Sequence, residues 1–242
     1  MEQTAIQDTK LTKWRLLFRI TAISYILMAV IIPIQIIIFS ISFPPQTIEG
    51  WFKLFQDNWL LGLVHMDFLY ILDNVLIVIM YLTFYFTLKQ KNESLMTIAL
   101  ILGLLGIAAY FSSNKAFEML SVSKLYYNSV TDTDRTVYLA VGQMLVSSWK
   151  GTAFDIYYVL NAVTLLITST VMLKSNLFNK KTAITGLVSG IFMVIPSTAG
   201  TIGLVFSLLS LIPWIAFLIL VAHSLLCLRR HQLLYLRIIN NG

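Results

Sequence analysis

The sequence predicts an all-α membrane protein, a polytopic bundle of six transmembrane helices with an interfacial helix and an extracytoplasmic cap. Two observations carry that prediction. Of 242 residues, 58% are hydrophobic and only 12% charged, about half the charged share of an ordinary soluble domain. Apolar runs close to the roughly 20 residues that cross a bilayer recur at about 20–43, 59–88, 95–111, 154–173, 183–199 and 203–228. These runs consume most of the length, so residues 1–242 read as a single membrane domain.

The first run follows Lys10, Lys13, Arg15 and Arg19. It is too long for a signal-peptide core and lacks a small-x-small cleavage site, so it reads as a retained span. It ends at Pro44-Pro45. Residues 46–58 then mix aromatic and charged positions without the length to cross, which suits a helix lying in the interface. Residues 112–152 form the long polar connection. Helical periodicity from Lys115 and again from Arg135 to Trp149 predicts two surface helices there, with Thr133 or Asp134 as the N-cap between them. Pro33, Pro196 and Pro213 each remove a helix hydrogen bond and are expected to kink a span.

Alternate connections differ in charge. Lys10, Lys13, Arg15, Arg19, Lys89, Lys91, Lys174, Lys180, Lys181, Arg229, Arg230 and Arg237 fall on one side, leaving Lys53, Lys115, Lys124, Arg135 and Lys150 for the other. The positive-inside rule makes both termini cytoplasmic, with Trp14 in one interfacial belt and Trp59 and Trp149 in the other. The net charge of +6 belongs to these flanks and does not imply nucleic acid. Cys227 is the single cysteine, which excludes an intrachain disulfide or a cysteine-built zinc site.

Chemistry is marked by carboxylates at membrane depth. Asp67, Asp73 and Asp155 lie in apolar spans without a Lys or Arg among them, and ionisable groups there usually serve a function. Asp67-Phe-Leu-Tyr-Ile-Leu-Asp-Asn-Val and Asp155-Ile-Tyr-Tyr-Val-Leu-Asn-Ala-Val share a pattern. Superposed on it, spans two and three match spans four and five, and Gly103 falls within one residue of Gly190. Helical spacing gathers Asp67, Tyr70, Asn74 and Tyr81 on one face and turns Asp73 about a third of a turn away. Tyr158, Asn161, Thr164 and Thr168 form a matching stripe below Asp155. The predicted ligand site therefore comprises Asp67, Tyr70, Asp73, Asn74, Asp155, Tyr158 and Asn161, with Asp67 and Asp155 facing one cavity and Asp73 as the proton carrier of a transporter.

A second reading is an intramembrane enzyme acting on a lipid or lipid-linked substrate, with His65, Asp67 and Asp155 as candidate catalytic groups. A third is a non-catalytic sensor, immunity or assembly subunit that binds a partner protein through residues 115–150. On a regular helix His65 and Asp67 diverge by about 160°, and His223 lies at the opposite membrane face, so no metal site is expected. Tyr110, Ser112, Ser113, Asn114, Ser197, Thr198 and Lys150 are further polar groups able to reach an outer cavity. Nucleotide loops, nucleophile elbows and zinc-protease motifs do not occur, and no cofactor is implied. The expected partners are membrane lipid and a small hydrophobic or cationic ligand.

Four segments carry a family resemblance: Arg19-Ile-Thr-Ala-Ile-Ser-Tyr, the Asp67 to Asp73 stretch, Gly142-Gln with Ala153-Phe-Asp-Ile-Tyr-Tyr, and Met172-Leu-Lys-Ser-Asn-Leu-Phe-Asn-Lys-Lys. In these the chain resembles a large family of uncharacterised bacterial six-span integral membrane proteins. The resemblance implies a six-helix bundle in the bacterial inner (plasma) membrane and implies no activity. His65 and Lys150 lie outside its pattern.

Overall fold

A computed structural model describes residues 15–240, and the side chains of residues 16–227. Lys10, Lys13 and Trp14 fall outside the described residues, as do the side chains of Arg15, Arg229, Arg230, His231 and Arg237. Among the described residues all regular structure is helical. The helices are α1 (Arg15–Ile41), α2 (Ile48–Asp57), α3 (Trp59–His65), α4 (Phe68–Leu88), α5 (Glu93–Ser113), α6 (Ala116–Asn128), α7 (Asp132–Trp149), α8 (Thr152–Leu173), α9 (Lys180–Met193) and α10 (Gly200–Asn240).

Five helical stretches are long and apolar enough to cross a membrane: Leu16–Ile41, Phe68–Leu88, Glu93–Asn128, Asp132–Leu173 and Gly200–Cys227. These apolar helices mark an integral, multi-pass membrane protein. The run expected over 183–199 gives only the 14 residues of α9, about 21 Å at 1.5 Å per residue. Pro196 explains part of the shortfall, because the residue before a proline is driven out of helical conformation. Pro33 and Pro213, by contrast, sit inside helices that continue through them.

Helices α1, α4, α5, α8, α9 and α10 pack in a closed ring, each against the next and α10 back against α1. Buried side chains such as Tyr25, Met28, Phe84, Leu165, Phe217 and Val221 form one continuous core in that ring. Close approach is built into α5. A Cβ on Gly103 would stand 2.5 Å from the Tyr81 ring, and one on Gly106 the same distance from the Asn161 amide, so α4 and α8 both press onto bare backbone.

The short helices α2, α3, α6 and α7 gather at one end of the ring around Trp51, Phe52, Phe55, Met66, Met119 and Trp149. The helix expected to lie in the interface instead buries its apolar side here, with Phe52 against Tyr126 at 5.0 Å. Trp149, assigned from sequence to an interfacial belt, is likewise buried and meets Trp51 edge-on at 5.8 Å. The N-cap of α7 is Thr131, two residues earlier than the nearer expected position; its Oγ1 accepts from the Asp134 amide at 3.0 Å.

The second span departs most from expectation. One helix was predicted over 59–88, but the chain breaks after His65 and restarts at Phe68, with Asp67 left-handed at φ 63°. The break is buried, so its carbonyls need donors. That of Met66 accepts from Asn114 Nδ2 at 2.7 Å, while those of Val64 and Asp67, which keep backbone donors, also accept from Gln35 Nε2 at 2.9 Å and the Tyr110 hydroxyl at 3.2 Å. Replacing Asn114 by alanine leaves a buried carbonyl without its donor and should lower stability by about 1–3 kcal/mol; thermal unfolding of the purified protein in nonionic detergent measures it.

Candidate functional site

The ring encloses a cavity of about 620 Å³, with walls from every ring helix and a roof from the end cluster. Its size lies within the roughly 300–1,000 Å³ of small-molecule sites. Tyr70, Tyr81, Tyr110, Tyr157 and Tyr158 line it together with Phe154 and Trp214. The rings touch: Tyr110 and Tyr157 lie 4.7 Å apart, and Phe154 and Tyr158 5.2 Å.

The break at Asp67 determines which polar groups reach this space. Because Asp67 precedes the helix in a left-handed turn, its direction is independent of the α4 register. On α4 itself Tyr70, Asp73, Ile77, Met80 and Tyr81 face the cavity, a stripe with spacings of three and four. Asp73, expected on a different face from the site, is therefore on the cavity stripe. Asn74, expected to face the site, is not; its Nδ2 caps back onto the Tyr70 carbonyl at 2.8 Å.

Asp67 and Asp73 line the cavity together, but with different partners. One carboxylate oxygen of Asp67 accepts from Trp149 Nε1 at 3.0 Å. Lys150 lies over the Trp149 ring at 5.0 Å and joins the same wall. Asp73 is 4% exposed, and its Oδ1 is buried with no hydrogen-bond partner. The described residues place no salt-bridge partner on it either, their one ion pair being Arg135 with Asp132.

Asp155 does not line the cavity. Its carboxylate accepts from the Thr198 hydroxyl, which does, so the expected Asp67–Asp155 pair is replaced by Asp67 with Asp73. The two halves of the sequence motif thus occupy unlike positions, since α8 runs on without a break at its aspartate. Tyr158 and Asn161 both face the cavity, Tyr158 bonded to Ser207 at 3.1 Å and Asn161 accepting from the Tyr81 hydroxyl. Thr164 and Thr168 are buried in helix packing.

His65 ends α3, fully buried, with Nε2 3.0 Å from Ser42 Oγ and its ring stacked on Phe39 at 5.3 Å. Its Nδ1 has no partner. The divergence expected of His65 and Asp67 assumed a regular helix; the break lets both line the cavity. Among the described residues no three His, Cys, Asp or Glu side chains gather to hold a metal.

Sequence reasoning missed Gln35, Tyr157, Ser207 and the indole donor of Trp149. Gln35 left a signal, as the one amide inside the first apolar run. Tyr157 was masked by Tyr158, because adjacent tyrosines on a helix point about 100° apart and only the ring geometry shows that both reach the cavity.

Comparison with protein-family models, with curated proteins and with solved structures gives no match to any of them. The site is therefore read from its own chemistry. Asparagine tolerates left-handed backbone and keeps an acceptor for Trp149, whereas alanine does neither. Asp67→Asn should unfold near the wild-type temperature, while Asp67→Ala should lose about 1–3 kcal/mol and alter the near-UV circular dichroism of Trp149.

Proposed function

We propose that this chain is a six-span membrane protein whose central cavity binds a small organic cation, as a binding protein or transporter. One observation carries the reading: the buried, unpartnered Asp73 carboxylate faces an aromatic-lined cavity. A carboxylate in so apolar a setting needs a proton, an ion partner or water. The surrounding rings favour the ion partner, because the faces of tyrosine and tryptophan attract a cation by about 0.5–2 kcal/mol each. Asp67 is already engaged by Trp149 and adjoins Lys150. Asp73 is then the primary counter-ion, Asp67 the second, and Tyr70, Tyr158 and Asn161 orient the ligand.

In this reading α9 is the sixth span. It takes its place in the ring between α8 and α10, and a helix of its length is accommodated by local thinning of the bilayer. Lys89, Lys91, Lys174, Lys180 and Lys181 lie at the end opposite the short helices, which supports cytoplasmic termini, an extracytoplasmic end cluster and the plasma membrane as the location.

The enzyme reading retains one supporting observation, the unpartnered His65 Nδ1 in the same cavity as Asp67. Recovery of a bound ligand chemically unchanged after prolonged incubation counts against it. The cation reading is tested by titrating tetramethylammonium into protein held in nonionic micelles. Asp73→Asn should weaken binding by about tenfold or more, the loss of one charge pairing; wild-type affinity in that variant overturns the proposal.

A further inference from the structure

The cavity wall is tight in one half of the ring and open in the other. Toward the end remote from the short helices, Ala22, Tyr25 and Met28 of α1 and Leu218, Val221 and Ala222 of α10 are buried in one core. Nearer the short helices the same two helices line the cavity. Ile36 of α1 and Leu204 and Leu208 of α10 face it, yet they are 36%, 52% and 53% exposed. Exposure this large on a cavity wall fits an opening between these two apolar helices, on the side where lipid chains would lie.

Depth connects the opening to Asp73. Counted from the same end at 1.5 Å per residue, Asp73 lies six residues below the break at Asp67, and Leu208 eight residues below the start of α10 at Gly200. Ile36 lies five residues before the end of α1 at Ile41. Leu208 therefore sits about 12 Å into the ring, near the depth of Asp73, whereas Ile36 lies nearer the break, as the Thr21–Thr83 contact and the Gln35 bond to the Val64 carbonyl require. A ligand with its head against Asp73 has Leu208 at its own level and Ile36 above it.

Resting on the cation reading, we infer that the ligand is an amphiphile: a single alkyl chain bearing an ammonium head, which enters sideways from the bilayer between α1 and α10. The head seats against Asp73 among the tyrosines, and the chain leaves between Ile36, Leu204 and Leu208. Three features fit this occupant, and the third separates it from a fully water-soluble cation. The unpaired carboxylate supplies charge complementarity. The aromatic rings suit a quaternary or substituted ammonium. The apolar rim offers a chain the same surroundings as the bilayer, so the tail need not enter water on the way to the site.

The test uses an alkyltrimethylammonium probe carrying a photoreactive diazirine at mid-chain, applied to the full chain in nonionic micelles, with labelled residues mapped by mass spectrometry. Saturable labelling is expected at Ile36, Leu204 and Leu208. It should fall by about tenfold in Asp73→Asn, in line with one lost charge pairing, and excess tetramethylammonium should suppress it. Saturable, Asp73-dependent labelling confined to interior positions such as Met80 or Leu165 leaves the cation site standing and overturns the sideways route. Absence of saturable, Asp73-dependent labelling overturns the amphiphile, and the tetramethylammonium titration then shows whether the cation reading failed with it.

Discussion

The structure turns on a break in a membrane helix and on the donors that make it tolerable. Between His65 and Phe68 the backbone leaves helical conformation among buried side chains, and a buried carbonyl without a donor costs free energy. Asn114, just past α5, supplies the donor for Met66, and Gln35 from α1 and Tyr110 from α5 add bonds to the Val64 and Asp67 carbonyls. The same bonds fasten α1 and α5 to the start of α4. They also fix the direction of Asp67, which in a continuous helix would follow the α4 register. Fold and candidate site therefore share one cause.

The cavity combines groups that normally avoid one another. Tyrosine rings and aliphatic side chains make its walls apolar, while Asp67, Asp73 and Lys150 bring charge into them. The charges are segregated: Lys150 and Asp67 are joined through Trp149 at the roof, and Asp73 lies lower without a partner. Below Asp73 the Tyr81–Asn161 hydrogen bond, pressed against Gly103 and Gly106, forms part of the wall. Small residues in α5 thus let a polar pair pack closely against its backbone.

Much of the fold was legible because bilayer thickness imposes a length on apolar runs, and five of the six expected stretches appear as helices of crossing length. The exception, α9, was over-extended because apolar content alone does not register the turn before Pro196. The site was legible in its residue types but not in its pairing. Asp67, Tyr70, Asp73, Tyr158 and Asn161 were all singled out, yet the helical wheel paired Asp67 with Asp155 and set Asp73 aside. That arithmetic presumes one unbroken register through residues 59–88. Nothing local in Val-His-Met-Asp-Phe announces a left-handed residue, since no glycine or proline punctuates it; only the tertiary donors make the break affordable. The repeated motif misled for the same reason, as its second copy lies in an uninterrupted helix.

The ring of helices has a consequence for biosynthesis. Its closing contact joins α1 to α10, the pair most distant in sequence among the ring neighbours. During synthesis the side of α1 that meets α10 must therefore wait in the membrane until α10 has been inserted, although Tyr25 can already pack on Phe84 of α4. Contacts of such long sequence separation form late. The enclosed space consequently exists only at the end of assembly, and the seam that completes it is the contact the nascent chain has had least time to test.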